Sequence, residues 1–288
     1  MGKKYLILIV LGITMYSLLF SEGFSFENRR YMNSNDLSFV FKDETFSYRI
    51  QEYEQYGKPG LDKQIPITIT GSYIIKNVAN NTIIEVDFPE GKRDIYVFNE
   101  SRHIILYDTY LKRIFYGTDI LSDESFIYPV NGVKATSYFT EILGGKEVKY
   151  TPDNLSDSDI TNPWVEGVDG YGIGEVLHIG RYDNSRGIYH LLIMNGFFSP
   201  NQPELYLDNG RIKKVMMRGY DKEGRLTYGG IKELEDTPNL QLLTSVVPCV
   251  EFELEILEVY PGRRFEDTAV SGIFHDGLRY MQEMNLRE

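Results

Sequence analysis

Residues 155–175, Leu-Ser-Asp-Ser-Asp-Ile-Thr-Asn-Pro-Trp-Val-Glu-Gly-Val-Asp-Gly-Tyr-Gly-Ile-Gly-Glu, constrain this chain more than any other stretch. They hold the single tryptophan, Trp164, and four carboxylates near it: Asp157, Asp159, Glu166 and Asp169. Four glycines, Gly167, Gly170, Gly172 and Gly174, fall within eight residues. Pro163 fixes the approach to the ring. Glycine reaches positive φ at low steric cost, so the turn after Trp164 can be sharp. Apolar alternation then resumes in Glu175-Val-Leu-His-Ile179. A polar loop therefore closes on one large aromatic, turns and enters a strand. Trp164 therefore reads as a core residue at a strand entrance; separately, Asp267 and Thr268 read as fixing a buried turn.

Strand patterning continues on both sides. Residues 37–41, 45–50, 67–75, 82–88, 94–98, 103–107 and 112–116 alternate or carry aromatics, and no convincing helix lies among them. The 22 tyrosines and 16 phenylalanines favour strands as well. The N-terminal half reads as an antiparallel meander or small barrel. Ile69-Thr-Gly-Ser-Tyr73 and the hairpin after it resemble lipocalin-like domains weakly. After 119–131, a linker without period, strands are expected near 133–139, 174–179, 188–194, 211–217, 240–246 and 250–259. In Val250–Val259, Glu251, Glu253 and Glu255 take one face while Phe252, Leu254 and Ile256 take the other, as in a sheet with one wet side.

Three segments carry a family resemblance. Asp157-Ser-Asp159-Ile-Thr-Asn-Pro-Trp164 is similar to the Asp-Gly-Asp-x-x-Thr-x-Trp signature of discoidin-like (coagulation-factor type C-like) domains, with Ser158 and Asn162 at the Gly and Thr positions. The run from Trp164 through Glu166, Gly167, Gly172 and Gly174 to Glu175 resembles the glycan-binding, or translocation, domain of bacterial NAD glycohydrolases. Ile193-Met-Asn-Gly-Phe197 with Leu207–Lys213, and Val259–Ser271, fit the same family in the same order. The resemblance implies an all-β chain whose C-terminal half is a galactose-binding-like jelly-roll sandwich. It also implies a glycan or cell-surface glycoconjugate as partner and allows a structural calcium ion at Asp157 and Asp159. A sugar site needs aromatic platforms and planar polar groups on loops. The candidates are Tyr171, Tyr182, Arg186, Phe197, Phe198 and Arg263.

Residues 1–23 read as a signal peptide: Lys3 and Lys4 precede the apolar run Tyr5–Phe20, which is shorter than the ~20 residues that span a bilayer. Export to a periplasmic, envelope-associated or secreted location follows, with no spanning segment in the mature chain. The expected division is a β domain at 26–118, the linker at 119–131, the discoidin-like domain at 132–276 and a tail at 277–288 that could form a short helix. The net charge of −12, without a basic patch, argues against nucleic acid. Cys249 is the only cysteine and reads as a small buried hydrophobe. His103, His178, His190 and His275 make no zinc spacing, and no nucleophile elbow or phosphate loop occurs. Glu253-Leu-Glu255 matches an ADP-ribosyl-transfer pair formally, yet its strand position reads as a solvated face. The expected protein binds without catalysis; a glycoside hydrolase site in the N-terminal half, or a structural envelope role without ligand, are the alternatives.

Overall fold

The computed structural model describes residues 27, 29–33, 37–50, 67–78, 81–100, 103–118, 127–180 and 187–276. The expected signal segment, the tail, most of the linker, Tyr182 and Arg186 lie outside them.

Eight strands form the first unit: β1 (Arg30–Met32), β2 (Ser38–Lys42), β3 (Thr45–Ile50), β4 (Ile67–Val78), β5 (Asn81–Phe88), β6 (Gly91–Glu100), β7 (His103–Asp108) and β8 (Arg113–Thr118). Each pairs antiparallel with the next, and β1 pairs with β8, so the meander closes into a barrel without edges. Alternate side chains fill the interior with aromatic rings. Phe39 lies at the centre, with ring centroids 4.6 Å from Tyr48 and 4.9 Å from Phe115. Gly71 is required there, because a Cβ would stand 2.4 Å from the Asp87 carbonyl oxygen and 2.7 Å from Phe46. Asp108 closes the β7–β8 turn by accepting the Tyr110 and Leu111 amides at 2.8 and 3.1 Å.

The remaining strands build a two-sheet sandwich and one separate two-stranded hairpin. They are β9 (Ile127–Pro129), β10 (Lys134–Ala135), β11 (Thr140–Leu143), β12 (Lys146–Lys149), β13 (Trp164–Val165), β14 (Val176–Ile179), β15 (Ile188–Asn195), β16 (Arg211–Tyr220), β17 (Leu226–Glu233), β18 (Leu240–Cys249), β19 (Glu251–Tyr260) and β20 (Ala269–Asp276). One sheet has the order β10-β14-β19-β16-β17; the other runs β13-β20-β15-β18, with β9 added beside β20, and β11 and β12 pair only with each other. The inner faces of the two sheets share one core that includes Trp164, Leu191, Ile193, Phe252 and Ile273. Two corrections arise here. Residues 127–129, read as the end of a linker, form a strand of this sandwich. The edge strand β17 escaped the sequence reading because its side chains are largely exposed and Gly229-Gly230 interrupts any period.

The outer face of the β13-β20-β15-β18 sheet packs against the barrel. Leu192, Met194, Phe198, Leu240 and Phe274 of the sandwich meet Tyr96, Phe98, Ile105, Tyr107, Ile114 and Tyr116 of β6, β7 and β8 in a single apolar cluster. In β7, Ile104 and Leu106 point into the barrel while Ile105 and Tyr107 point at the sandwich. β15 divides in the same way, Leu191 and Ile193 inward and Leu192 and Met194 toward the barrel. Burial on both faces is why these two strands read as apolar runs rather than alternations.

The opposite sheet turns its charged face outward. Glu255 accepts from Arg218 at 2.7 Å, Glu253 accepts from the Tyr220 hydroxyl at 2.6 Å, and His178 stands 3.1 Å from Glu253. The Glu253/Glu255 pair is thus a ladder of cross-strand partners. Cys249 is buried, and burial raises its thiol pKa first of all. His190 Nδ1 lies 3.1 Å from the Thr244 hydroxyl, a buried structural contact.

Candidate functional site

Connections β13–β14, β15–β16, β17–β18 and β19–β20 all emerge at one end of the sandwich. Trp164 anchors the first. It is fully buried, and its indole N–H donates to the Ser137 carbonyl at 3.0 Å. Glu166 is also fully buried and accepts the backbone N–H of Val168 at 2.8 Å and of Thr268 at 3.3 Å. The Thr268 hydroxyl in turn donates to the Tyr171 carbonyl at 2.9 Å. Gly167 has no room for a side chain, since a Cβ would lie 2.3 Å from the Tyr138 carbonyl oxygen. Gly172 adopts φ +66° and leans on Glu166, where a Cβ would fall 2.6 Å from its Cγ. Gly174 takes φ +91° in open space. Burial pushes the Glu166 carboxyl up to about 7, against its two amide bonds, and the neighbouring charges of Asp267 and Glu175 add to the rise. Asp267 is raised as well, chiefly by burial.

Asp157 and Asp159 each engage their Oδ1 in hydrogen bonds. Asp157 Oδ1 accepts the Ser158 amide at 2.6 Å. Asp159 Oδ1 accepts the Thr161 hydroxyl at 2.6 Å and the Tyr107 hydroxyl, from the barrel, at 2.6 Å. Among the described residues no group of three or more His, Cys, Asp or Glu is arranged to hold a metal ion. In this fold Asp157 and Asp159 brace their loop, and Asp159 also ties it to the barrel.

A cleft of about 390 Å³ opens beside this loop end. Phe197, Phe198, Tyr206, Leu207, Pro203 and Pro238 supply its apolar surface, and Glu204, Asp236, Arg263 and Asn81 its polar one. Buried polar side chains set this geometry. Asn195 pairs with both backbone groups of Ile212, at 2.6 and 2.9 Å. The Ser271 hydroxyl donates to the Gly196 carbonyl at 2.9 Å and accepts the Phe198 amide at 2.8 Å. Gly196, at φ +88°, lets Tyr206 and Arg211 close over it; a Cβ would meet them at 2.7 and 2.8 Å. The Asn-Gly-Phe segment therefore delivers Phe197 and Phe198 to the cleft in fixed positions.

Two ion pairs frame the cleft. The buried Asp208, on the helical turn α1 (Leu205–Asp208), accepts Arg263 Nη2 at 2.8 Å and Nε at 3.0 Å. Arg211, buried to 4% exposure, forks onto Asp236 through Nη2 at 2.7 Å and Nε at 3.1 Å. The Tyr206 hydroxyl adds a third bond to Asp236 at 3.0 Å. Burial works against the Asp236 carboxylate, but Arg211 outweighs it and holds its pKa below the ordinary value. Burial and the Asp236 charge together raise the Tyr206 phenol.

Of the six sequence candidates, Phe197, Phe198 and Arg263 converge in the cleft. Phe198 differs from expectation. It is not an exposed platform but is 7% exposed, at the floor, clasped by Tyr96, Phe98 and Tyr107 with centroids at 5.1, 5.0 and 5.6 Å. Tyr171 sits half-buried at the same end but does not line the cleft. Tyr182 and Arg186 lie outside the described residues, and the flanking Gly180 and Gly187 stand at the other end, against Gly132 and Cys249. Tyr206, Asp236, Arg211 and Asp208 escaped the sequence reading. The available signal was Arg211 opening an apolar strand, since a buried guanidinium requires carboxylate partners.

Residues 127–276 match the family model described as NAD glycohydrolase translocation F5/8 type C domain, a little over half of the chain. No curated protein sequence matches it. Among solved structures, it is similar to the family 32 carbohydrate-binding module of NanJ from C. perfringens in complex with galactose, at 16% identity and TM-score 0.37 over 50% of this chain and 91% of that one. It is likewise similar to the family 32 carbohydrate-binding module of Streptococcus pneumoniae EndoD, at 11% identity and TM-score 0.37 over 51% and 97% of the two chains. A putative chitobiase fragment from Bacteroides thetaiotaomicron aligns at 8% identity and TM-score 0.40 over 56% and 97%.

Proposed function

The chain belongs to the NAD glycohydrolase translocation F5/8 type C domain family, and from that premise we propose that it is an exported, non-catalytic protein that binds a carbohydrate of a cell-surface glycoconjugate in the cleft beside Phe197. The observation that carries this reading is the cleft's composition: two aromatic rings, Phe197 and Tyr206, among fixed planar polar groups. Sugar rings bury C–H faces on aromatics and satisfy their hydroxyls with such groups. Charge narrows the class. Arg211 pairs with Asp236, Arg263 and Arg264 share Asp208, and Glu204 adds an acid at the wall, so these groups carry no net charge together. This balance favours an uncharged or amino sugar over a sialic or uronic acid.

Two features favour binding over turnover. The barrel interior is filled by aromatic side chains, and Glu253 and Glu255 are engaged by Arg218, Tyr220 and His178. Export rests on the apolar run Tyr5–Phe20 behind Lys3 and Lys4. Among the described residues no helix is long and apolar enough to cross a membrane.

The test is calorimetric titration of the mature protein with galactose, N-acetylgalactosamine, glucosamine, glucuronic acid and N-acetylneuraminic acid, as free sugars and as glycan conjugates. Saturable binding of a neutral or amino sugar is expected, weakened about tenfold by Phe197→Ala and by Arg263→Ala, without product release. Preference for the acidic sugars, or hydrolysis of a conjugate, would overturn the reading.

A further inference from the structure

We propose that the binding site continues beyond the cleft onto the β11–β12 hairpin, with Tyr150 as a further platform, so that the ligand is an oligosaccharide chain rather than a single terminal sugar. The inference rests on the cleft reading above and deepens it by the length of the ligand.

Three observations converge. First, aromatic rings run out of the cleft in a row. Phe197 lines the cleft, and Tyr150, which does not, stands against it with ring centroids 5.9 Å apart and planes at 65°. Phe139 backs Tyr150 at 6.2 Å, with the two planes tilted by only 25°. All three residues are half-buried, so each keeps part of its side chain at the surface. Sugar rings lay their C–H faces on such surfaces, and a second ring beside the first offers a seat to the next sugar of a chain.

Second, the hairpin that begins and ends at these rings has no part in either sheet. β11 and β12 pair only with each other. Ile142 and Leu143, at its tip, are 67% and 51% exposed, so no core holds them. Its base, in contrast, is fixed to the strand that carries Trp164. The Phe139 amide donates to the Val165 carbonyl at 2.8 Å, and the Val165 amide donates to the Tyr150 carbonyl at 3.2 Å. Sheet formation therefore does not account for the hairpin, and its rings are held before any ligand arrives, which lowers the ordering cost of binding.

Third, carboxylates flank the row. Glu141 accepts the Tyr150 hydroxyl at 2.7 Å and so orients the ring. Asp267, in the β19–β20 connection, lies close enough that its carboxyl, raised first by burial, is raised further by the Glu141 charge. Carboxylates are acceptors for sugar hydroxyls and for an ammonium group, so this side of the site carries the same preference for neutral or amino sugars as the cleft. Tyr150 touches the second sugar, while Phe139 and Glu141 are positioning residues that set its ring.

The experiment titrates the full mature chain with oligomers of galactose, of glucosamine and of N-acetylglucosamine, from monomer to tetramer. In a series that binds, affinity should rise about tenfold between monomer and trimer, the worth of one further aromatic contact. Tyr150→Leu, which keeps an apolar side chain against Phe197, should remove that gain, weakening the trimer about tenfold and the monomer by no more than about twofold. Glu141→Gln, which keeps the shape of the acid, should weaken the trimer about threefold and more than it weakens the monomer. Loss of folded protein would weaken every length alike, so the dependence on length separates contact from packing. An affinity that stays flat with length, or a Tyr150→Leu effect equal on monomer and trimer, would overturn the extension; Phe197→Ala and Arg263→Ala that still weaken the monomer would leave the cleft standing. If no series binds, or if Phe197→Ala and Arg263→Ala leave binding intact, the cleft is not the site and the inference falls with it.

Discussion

Glu166 offers a sharp test of how the Trp164 loop is held. Its carboxyl is fully buried and is displaced from 4.5 to about 7, by burial first and by the charges of Asp267 and Glu175 after it. The folded protein therefore holds this proton more tightly than the unfolded chain does. The associated stability is fully present below about pH 4.5 and is lost as pH rises to about 7, then stays level. The displacement corresponds to about 3 kcal/mol, at 1.36 kcal/mol for each tenfold change in proton affinity. Glu166→Gln removes the titration but keeps the shape and an acceptor for one of the two amides, at a loss of about 1 kcal/mol. Urea unfolding at pH 5 and pH 8 measures both proteins. The parent should lose up to about 3 kcal/mol more than the variant between these two values, and at pH 8 the variant should be at least as stable. Burial also raises Asp108, which slopes the same way but is present in both proteins and cancels in the comparison; Asp267 is raised as well, and its repulsion of Glu166 is part of what the variant removes. Equal pH dependence in parent and variant would refute the burial argument. A parent that gains on the variant toward pH 8 would mean that Glu166 is ionised at little cost and that its amide bonds dominate.

Further outcomes follow from the same packing. Trp164→Ala should destabilise the protein by about 3–5 kcal/mol in chemical unfolding, because the ring is fully buried. Phe198→Ala should cost about as much, which separates it from Phe197→Ala, whose effect should fall mainly on sugar binding. Tyr107→Phe should cost about 1.5–3 kcal/mol, since a hydroxyl then leaves the Asp159 carboxylate; if Asp159 serves a calcium ion instead, Asp159→Asn would lower the melting temperature only when calcium is present. A fragment beginning at Ile127 should bind hydrophobic dye and self-associate, because Leu192, Met194, Phe198, Leu240 and Phe274 lose the barrel that covers them. Intact-mass measurement of the protein from its native source should give a chain beginning near Phe24, and a mass that includes residues 1–23 would reject the reading of that segment as a cleaved signal.

The order of local elements was readable in the chain because it depends on neighbours in sequence. Alternation placed most strands, and Glu251–Tyr260 split its acids and apolar residues between two faces as observed. Trp164, Glu166 and the glycines that follow announced a tight loop, since close packing and positive φ are imposed locally at Gly167 and Gly172. Three decisions came only with tertiary structure. The meander closed because β1 met β8, a pairing of residues far apart in sequence. β7 and β15 became walls between two units because both of their faces found apolar partners; an apolar run does not say which partner lies on which side. The candidate site was sorted by the same long-range contacts. Phe197 and Phe198 are adjacent, yet one faces the cleft and the other is clasped by a barrel formed some hundred residues earlier. Asp159 matches a metal-loop pattern by its neighbours, and only the fold shows that Tyr107, 52 residues away, donates to its Oδ1. Spacing along a chain specifies which way a side chain leaves the backbone; what it meets there depends on how surfaces distant in sequence pack, and that packing is a property of the whole fold.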